Sequence, residues 1–193
     1  MTTADFGINQ LLYGFLQLDR LVYQWVHIMQ NPWLVKIMII ITYWGYPLTL
    51  VLLAALVTVR MLYRRLRWEA LFLNVSFVSA WALMKLLKNL IERSRPAGEA
   101  LTTAAGYSFP SGHAMVSMAF YGFLAFLLLY CSRKKNDRWL AASLFILIFL
   151  IGFSRIYLNV HYTSDVLAGF LFGLLCLTGS IKGYQWAKRT YQF

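Results

Sequence analysis

Charged residues and cysteines are scarce in this 193-residue sequence, and each shortage excludes a class of protein. Charged residues make up only 13% of the chain and apolar residues 60%, which excludes an ordinary soluble globule and a disordered chain. The two cysteines, Cys131 and Cys176, have no paired spacing, so we expect neither a disulfide framework nor a thiolate metal site. The first residues lack a basic region and a cleavage pattern, so no signal peptide is expected.

Long apolar runs are abundant, and a helix that crosses a membrane needs about 20 such residues. Five runs predict transmembrane helices, at approximately 47–63, 69–93, 112–131, 139–158 and 162–181. In residues 1–46, polar residues such as Asp19 and Arg20 interrupt apolar residues at helical spacing, which predicts an amphipathic helix at the interface. The piece 33–44 is either a half-helix or part of a sixth crossing. The fold prediction is therefore an all-α, polytopic membrane helix bundle.

The distribution of the basic residues predicts the topology. Eleven of the 18 Lys and Arg follow the first, third and fifth runs: Arg60, Arg64, Arg65, Arg67, Arg133, Lys134, Lys135, Arg138, Lys182, Lys188 and Arg189. By the positive-inside rule these loops are cytoplasmic, so the net charge of +11 indicates topology rather than a nucleic-acid surface. Five cations near the outer loops break the rule and become functional candidates: Lys85, Lys88, Arg93, Arg95 and Arg155.

The first candidate cluster is Lys88, followed after six residues by Arg95-Pro96. Residues seven apart lie on one face of a helix, so the ammonium and guanidinium groups can face the same anion before Pro96 ends the helix. The alternative is that Lys88 only reaches the lipid headgroups or pairs with Glu92.

The second cluster is Phe109-Pro110-Ser111-Gly112-His113, which opens the third run. A Ser-Gly at a helix start presents backbone N–H groups at the positive end of the helix dipole, where a phosphate binds readily. His113 stands beside this position. The alternative is an ordinary helix cap followed by an interfacial histidine.

The third cluster is Ser154-Arg155, then His161 after five residues and Asp165 after three more. His161 and Asp165 are four apart, so we expect them to share a helix face at the start of the fifth run. A carboxylate there can hold one imidazole nitrogen as N–H and leave the other free as a nucleophile or base. A purely structural hydrogen bond between the two is the alternative.

Taken together, the three clusters resemble the signature of the phosphatidic acid phosphatase type 2 superfamily of membrane lipid phosphatases. That signature is Lys-x6-Arg-Pro, Pro-Ser-Gly-His and Ser-Arg-x5-His-x3-Asp, and every specified position is present between Lys88 and Asp165. The resemblance implies one domain over residues 1–193, with 47–193 as the catalytic helix bundle and 1–46 as an interfacial N-terminal region outside the signature.

The resemblance also implies hydrolysis of a phosphoester through a phosphohistidine. His161 would attack phosphorus, Asp165 would orient it, and His113 would protonate the leaving oxygen. The substrate phosphate would be held by Lys88, Arg95, Arg155 and the Ser111 and Gly112 amides. We expect no metal and no cofactor, because the sequence lacks the carboxylate and His groupings that bind magnesium or zinc.

The expected substrate is a lipid phosphate, reached at the outer face of a bacterial cytoplasmic membrane. Gly112 favours phosphatidylglycerophosphate or phosphatidic acid over undecaprenyl pyrophosphate, since relatives acting on the latter often have aspartate there. Membrane lipids are the expected surroundings, with neither a nucleic acid nor an obligate protein partner. Two alternatives of another class remain, namely a lipid phosphotransferase and a lipid-binding protein without catalysis.

Overall fold

The computed structural model describes residues 3–131 and 134–191, with side chains from residue 14 onward. Arg133, one of the predicted cytoplasmic cations, lies outside the described residues. Within these ranges the chain forms α1 (Thr3–Ile28), α2 (Pro32–Tyr43), α3 (Pro47–Tyr63), α4 (Arg67–Ile91), α5 (Gly112–Cys131), α6 (Lys135–Tyr157) and α7 (Thr163–Tyr191). The described ranges contain no strand, which confirms the all-α prediction.

Four helices are long and apolar enough to cross a membrane, namely α4, α5, α6 and α7. They coincide with four of the five predicted spans. The remaining one, α3, has 17 residues and reaches the required length only together with α2, across a bend of 44°. The described residues thus offer four candidate spans, or five if α2 and α3 form one broken span. Helix α2 nearly coincides with the segment 33–44, which was predicted to be a half-helix or part of a sixth crossing.

The break between α2 and α3 follows from the local sequence. Asn31 caps α2 with its side-chain oxygen, and Pro32 and Pro47 open α2 and α3, where a missing N–H costs nothing. Gly45 lies between the two helices, and a Cβ there would approach the ring of His113 to 3.1 Å. The absence of a side chain at Gly45 therefore lets the break lie against the start of α5.

The centre of the bundle is α5, which is buried along most of its length and packs against α4, α6 and α7. Two glycines of α7 allow the closest of these approaches. A Cβ on Gly169 would lie 2.7 Å from the main-chain oxygen of Ser111, and one on Gly173 would lie 2.5 Å from that of Met115. The small-residue face of α7 is therefore used for packing inside this chain.

The outer helices α3, α4, α6 and α7 carry many exposed apolar side chains. Exposed members include Leu48, Leu52, Leu56 and Val59 of α3, Leu71, Val75 and Val78 of α4, Ile146, Phe149 and Phe153 of α6, and Leu167, Leu171 and Leu174 of α7. Such continuous apolar faces are typical of contact with lipid rather than water. The chain is an integral membrane protein.

One end of the bundle gathers the C-termini of α4 and α6, the N-termini of α5 and α7, and the loop 92–111. That loop is tied down by hydrogen bonds from Leu101 N to Leu158 O (3.0 Å) and from Asn159 Nδ2 to Glu99 O (3.2 Å). The basic loops that predict the cytoplasmic side lie at the opposite end of the helices. The three sequence clusters therefore lie at one end of the bundle, and the basic residues used to predict the topology lie at the other.

The N-terminal helix α1 differs in detail from its prediction. Its polar Asp19 is only 5% exposed, whereas its apolar Phe15 and Trp25 are 49% and 71% exposed. Val26 packs with Met38 of α2 against the end of α6. The helix is present, and its placement at the membrane interface remains a prediction.

Candidate active site

A single large cavity collects most of the residues that the sequence singled out. Six of the eight predicted site residues line it: Lys88, Arg95, Gly112, His113, Arg155 and His161. They come from α4, the loop 92–111, the start of α5, the end of α6 and the connection before α7. The other two, Ser111 and Asp165, lie directly behind this wall and contact each other through their main chains, with Ser111 N donating to Asp165 O at 3.0 Å.

The prediction that Lys88 and Arg95 share one helix face is wrong, although both residues line the cavity. Helix α4 ends at Ile91, because Glu92 adopts the left-handed conformation with φ 48°. Arg95 consequently lies in the loop and not on the helix face of Lys88, and it is Glu92 rather than Pro96 that marks the end of the helix.

The loop instead positions both cations with main-chain carbonyls. The Arg95 guanidinium donates to Val160 O at 2.6 Å, Ala105 O at 2.8 Å and Gly106 O at 3.0 Å. Lys88 Nζ donates to the carbonyl of Tyr107. Burial lowers the pKa of Arg95, since desolvation disfavours the charged form. Carbonyl dipoles thus fix two positive groups at the wall of the cavity.

His161 and Asp165 form a buried pair at the same wall. His161 precedes α7, which begins at Thr163, so the predicted shared helix face is wrong and only Asp165 belongs to the first turn. The atoms His161 Nδ1 and Asp165 Oδ2 are 3.6 Å apart. Ser108 lies between them: its hydroxyl donates to Asp165 Oδ2 and is 3.4 Å from His161 Nδ1.

These contacts determine which ring nitrogen of His161 carries the hydrogen and which carries a lone pair. The acceptors near Nδ1 favour the tautomer with hydrogen on Nδ1, which leaves a lone pair on Nε2. Nε2 is 3.4 Å from Arg95 Nη1, on the cavity side of the ring. Burial lowers the pKa of His161 to about 4, with the Asp165 carboxylate opposing and Arg95 and Arg155 adding to the shift. The imidazole is therefore neutral at pH 7, as a nucleophile requires.

At the start of α5, the Ser111 amide differs from the phosphate-binding site that the sequence predicts. The N–H of Ser111 is occupied by the carbonyl of Asp165, so Ser111 cannot offer it to a phosphate. The first-turn amides of Gly112 and His113 remain, since a helix start has no partners for them within the helix. Among the described residues, Ser111 Oγ and His113 Nε2 are buried polar atoms without a protein partner.

Arg155 supplies the third cation from the last turn of α6. It is only 3% exposed, and its Nη1 donates to Thr42 Oγ1 of α2 at 2.8 Å. Its Nε is buried without a protein partner in the described part of the chain. Buried polar atoms are nearly always hydrogen-bonded. His113 and Arg155 also line the cavity, so their partnerless nitrogens leave hydrogen-bonding capacity for a polar ligand at this end.

Three residues around Asp165 were missed, namely Asp19, Ser108 and Ser164, and a fourth, Arg93, was named only as an outer-face cation without a role in the site. Arg93 Nη1 donates to Asp165 Oδ1 at 2.6 Å, and its Nη2 donates to Asp19 Oδ2 at 2.8 Å. Asp19 also accepts from the main chain and hydroxyl of Ser164. The available signals were a rule-breaking outer cation at position 93 and an acid, Asp19, among the apolar residues at helical spacing near the N-terminus.

Away from the cations the cavity is apolar and runs along the membrane-spanning helices. Its volume is about 1110 Å³, and its walls include Leu48 and Val51 of α3 and Val78 and Trp81 of α4. These four side chains are also exposed on the outside of the bundle. The cavity therefore joins a cationic end to an apolar end that borders the lipid-facing surface.

Comparisons with known proteins identify the family of the chain. Residues 69–189 match the PAP2 superfamily. The chain is 35% identical over 162 residues to phosphatidylglycerophosphatase B of Bacillus subtilis, covering 82% of this chain and 78% of that protein. It is 30% identical over 119 residues to the undecaprenyl-diphosphatase of Sulfolobus acidocaldarius, covering 58% of this chain and 54% of that protein.

A solved structure gives the same result for the fold. The crystal structure of a transmembrane PAP2-type phosphatidylglycerolphosphate phosphatase from Bacillus subtilis superposes with a TM-score of 0.79 at 30% identity. The match covers 91% of this chain and 94% of that one. The chain belongs to the PAP2 superfamily, as the three sequence clusters predict. It is accordingly a phosphoric-ester hydrolase of the lipid phosphatase class.

Proposed function

We propose that this chain hydrolyses lipid phosphates through a phosphohistidine on His161 and needs no metal ion. The observation that carries the proposal is the orientation of His161. Its Nδ1 faces Asp165 and Ser108, and its Nε2 faces the cavity lined by Lys88, Arg95 and Arg155. A neutral imidazole beside three fixed cations suits attack on a phosphate and little else.

In the first step Nε2 of His161 attacks phosphorus, and the bond from phosphorus to the lipid oxygen breaks. The imidazole becomes positively charged, and Asp165 stabilises that charge from the Nδ1 side. His113, protonated beside the negatively charged substrate phosphate, donates its proton to the leaving oxygen, a contribution of about 10²- to 10⁴-fold in typical enzymes. Lys88, Arg95, Arg155 and the Gly112 amide hold the three equatorial oxygens, whose charge grows in the transition state.

In the second step water attacks the phosphorus of the phosphohistidine. His113, now deprotonated, accepts the proton from the water, and the bond between nitrogen and phosphorus breaks. Inorganic phosphate leaves, and both histidines return to their starting protonation states. The side-chain cations supply the charge stabilisation that a metal ion provides in many other phosphoryl-transfer enzymes.

The substrate class follows from the two ends of the cavity. The cationic end suits a phosphate monoester or diphosphate, and the apolar walls on α3 and α4 suit a lipid chain that enters sideways from the bilayer. Phosphatidylglycerophosphate and phosphatidic acid are the favoured substrates. The support for them is Gly112 and the similarity to phosphatidylglycerophosphatase B. Undecaprenyl pyrophosphate is the second candidate, supported by the similarity to the undecaprenyl-diphosphatase.

The charge distribution supports a specific orientation. The cations after α3, in the connection before α6 and at the end of α7 lie opposite the cavity, so the positive-inside rule puts the site on the extracytoplasmic face of the cytoplasmic membrane. We infer that residues 1–193 form a single domain that acts without an obligate protein partner. The contact of α1 with Arg93 ties residues 1–46 to the catalytic bundle.

The test is phosphate release by the purified chain in detergent with excess chelator, with phosphatidylglycerophosphate, phosphatidic acid and undecaprenyl pyrophosphate offered separately. His161→Ala is expected to abolish release, and the matched control His27→Ala, on the exposed face of α1, is expected to leave it unchanged. Brief reaction with radiolabelled substrate is expected to label the wild type at an acid-labile, base-stable bond.

The same experiment separates the alternatives. Release in His161→Ala, or loss of release with chelator, would contradict the mechanism. If the lipid loses its phosphoryl group only when a lipid or sugar acceptor is added, and the group is then found on that acceptor, the chain is a phosphotransferase. If the folded chain binds the lipids but releases no phosphate from any of them, it is a binding protein.

A further inference from the structure

Behind the catalytic pair, Arg93 bridges two buried carboxylates from distant parts of the chain. Its Nη1 lies 2.6 Å from Asp165 Oδ1 and its Nη2 lies 2.8 Å from Asp19 Oδ2. Both carboxylate side chains are almost fully buried. The guanidinium also stacks over the ring of Tyr162, 4.0 Å from its centroid. One planar cation thus joins α1 to the first turn of α7.

Asp19 reaches α7 by a second route as well. Its Oδ1 accepts from Ser164 N at 2.8 Å, and its Oδ2 accepts from Ser164 Oγ at 2.6 Å. Ser164 directly precedes Asp165, and a carboxylate that accepts the first-turn N–H is stabilised by the helix dipole. Asp19 therefore contacts both Arg93 and the helix start that carries Asp165.

The two oxygens of Asp165 divide their partners between two directions. Oδ2 accepts from Ser108 Oγ and from Tyr162 N at 3.0 Å, on the side of His161, while Oδ1 accepts from Arg93. The plane of this carboxylate is therefore set by Arg93 at one end and by the histidine side at the other. A change in Arg93 would let the carboxylate rotate away from Nδ1.

Asp19 and Arg93 do not line the large cavity. They line a separate cavity of about 440 Å³, together with Arg20, Tyr23 and Tyr162. Their polar atoms face Asp165 and Ser164 rather than the position of the substrate phosphate. An effect of these residues on the reaction must therefore pass through Asp165.

We propose that Asp19 and Arg93 are positioning residues of the active site, through which helix α1 sets the orientation of Asp165 behind His161. The inference rests on the proposed phosphohistidine chemistry. It makes the N-terminal helix a functional part of the enzyme, although the sequence signature begins only at Lys88.

The test compares Asp19→Asn, Arg93→Gln and the double variant in the phosphate-release assay. Each single variant is expected to lower kcat about tenfold, because it removes hydrogen bonds between charged groups that orient Asp165. KM and inhibition by inorganic phosphate are expected to stay within about twofold, because Lys88, Arg95 and Arg155 are untouched. Asp19→Asn is expected to cost less in the Arg93→Gln background than in the wild type, since one of its two routes to Asp165 passes through Arg93.

Two further variants separate positioning from simple packing. Val26→Ala loosens the buried face of α1 without touching Arg93 and is expected to leave kcat within about twofold of the wild type. Arg93→Lys keeps the charge and is expected to recover part of the kcat that Arg93→Gln loses. An equal loss in Val26→Ala, or a Lys variant no better than Gln, would overturn the proposal.

The remaining outcomes are also decisive. Effects of Asp19→Asn and Arg93→Gln that multiply would mean that Asp19 acts independently, and full activity in Arg93→Gln would mean that Asp165 does not need it. If Asp19→Asn does not fold, the proposal is tested by Arg93→Gln and Arg93→Lys alone, from their kcat values and their inhibition by inorganic phosphate. His161→Ala, measured in parallel, is inactive if the proposed function holds, so failure of the positioning role and failure of the mechanism remain distinguishable.

Discussion

Ser108→Ala removes the hydroxyl that links the catalytic carboxylate to the imidazole. The hydroxyl donates to Asp165 Oδ2 and is 3.4 Å from His161 Nδ1, and it is fully buried. Its loss leaves Tyr162 N as the donor to that oxygen, at 3.0 Å. We therefore expect slower chemistry without loss of substrate binding.

The magnitude follows from the charge on the acceptor. A hydrogen bond to a charged group contributes about 1.5–3 kcal/mol. If about 2 kcal/mol of this is needed in the transition state, kcat falls about 30-fold. KM stays close to the wild-type value, because Ser108 does not line the cavity that holds the cations.

The assay is initial phosphate release from phosphatidylglycerophosphate in detergent micelles over a range of substrate concentrations. Ser143→Ala is the matched control, because its exposed hydroxyl donates only to Leu140 O within α6. A kcat within about twofold of the wild type would refute the argument that this hydroxyl orients the pair. Thermal unfolding of both variants checks that the bundle is intact.

Three further predictions concern packing, protonation and phosphate binding. Gly173→Ala is expected to destabilise the bundle by about 1–3 kcal/mol, because its Cβ would lie 2.5 Å from a main-chain oxygen of α5. Melting temperatures are compared with Gly179→Ala, where a Cβ meets nothing within 4 Å, and equal values would contradict the prediction. The ring of His161 is expected to titrate near 4 by NMR, and a midpoint near 6.5 would contradict its burial. Because the unfolded ring binds its proton first, the free energy of unfolding falls as the pH drops from about 6.5 towards 4. Arg155→Lys is expected to weaken inhibition by inorganic phosphate about tenfold. The guanidinium donates to Thr42 and has further N–H groups for the phosphate, whereas an ammonium cannot reproduce this planar geometry. Unchanged inhibition would contradict this prediction.

The sequence predicted the long helices and most of the cavity wall for one physical reason. Helix periodicity and span length are local properties, so α4 to α7 could be read from runs of apolar residues. The alternation of loops then placed Lys88, Arg155 and His161 at one end of the bundle. That end is where the structure has them.

The errors arose where local spacing was extended beyond a helix. Arg95 was expected on the face of Lys88, but the left-handed Glu92 ends α4 before it. Asp19 was interpreted only as a polar residue of an amphipathic helix, whereas its partners Arg93 and Ser164 lie 74 and 145 positions away. Contacts over such separations depend on tertiary packing, which no periodicity in one sequence reveals.

The shape of the large cavity has a consequence for reversibility. Its apolar walls border the bilayer, while its cationic end lies where α4 and α6 end and the loop 92–111 begins. The dephosphorylated lipid therefore leaves into a two-dimensional film, and inorganic phosphate leaves into bulk water. Since the two products enter different phases, their chance of meeting again in one cavity is small, and dilution alone drives the reaction forward without a coupled energy source.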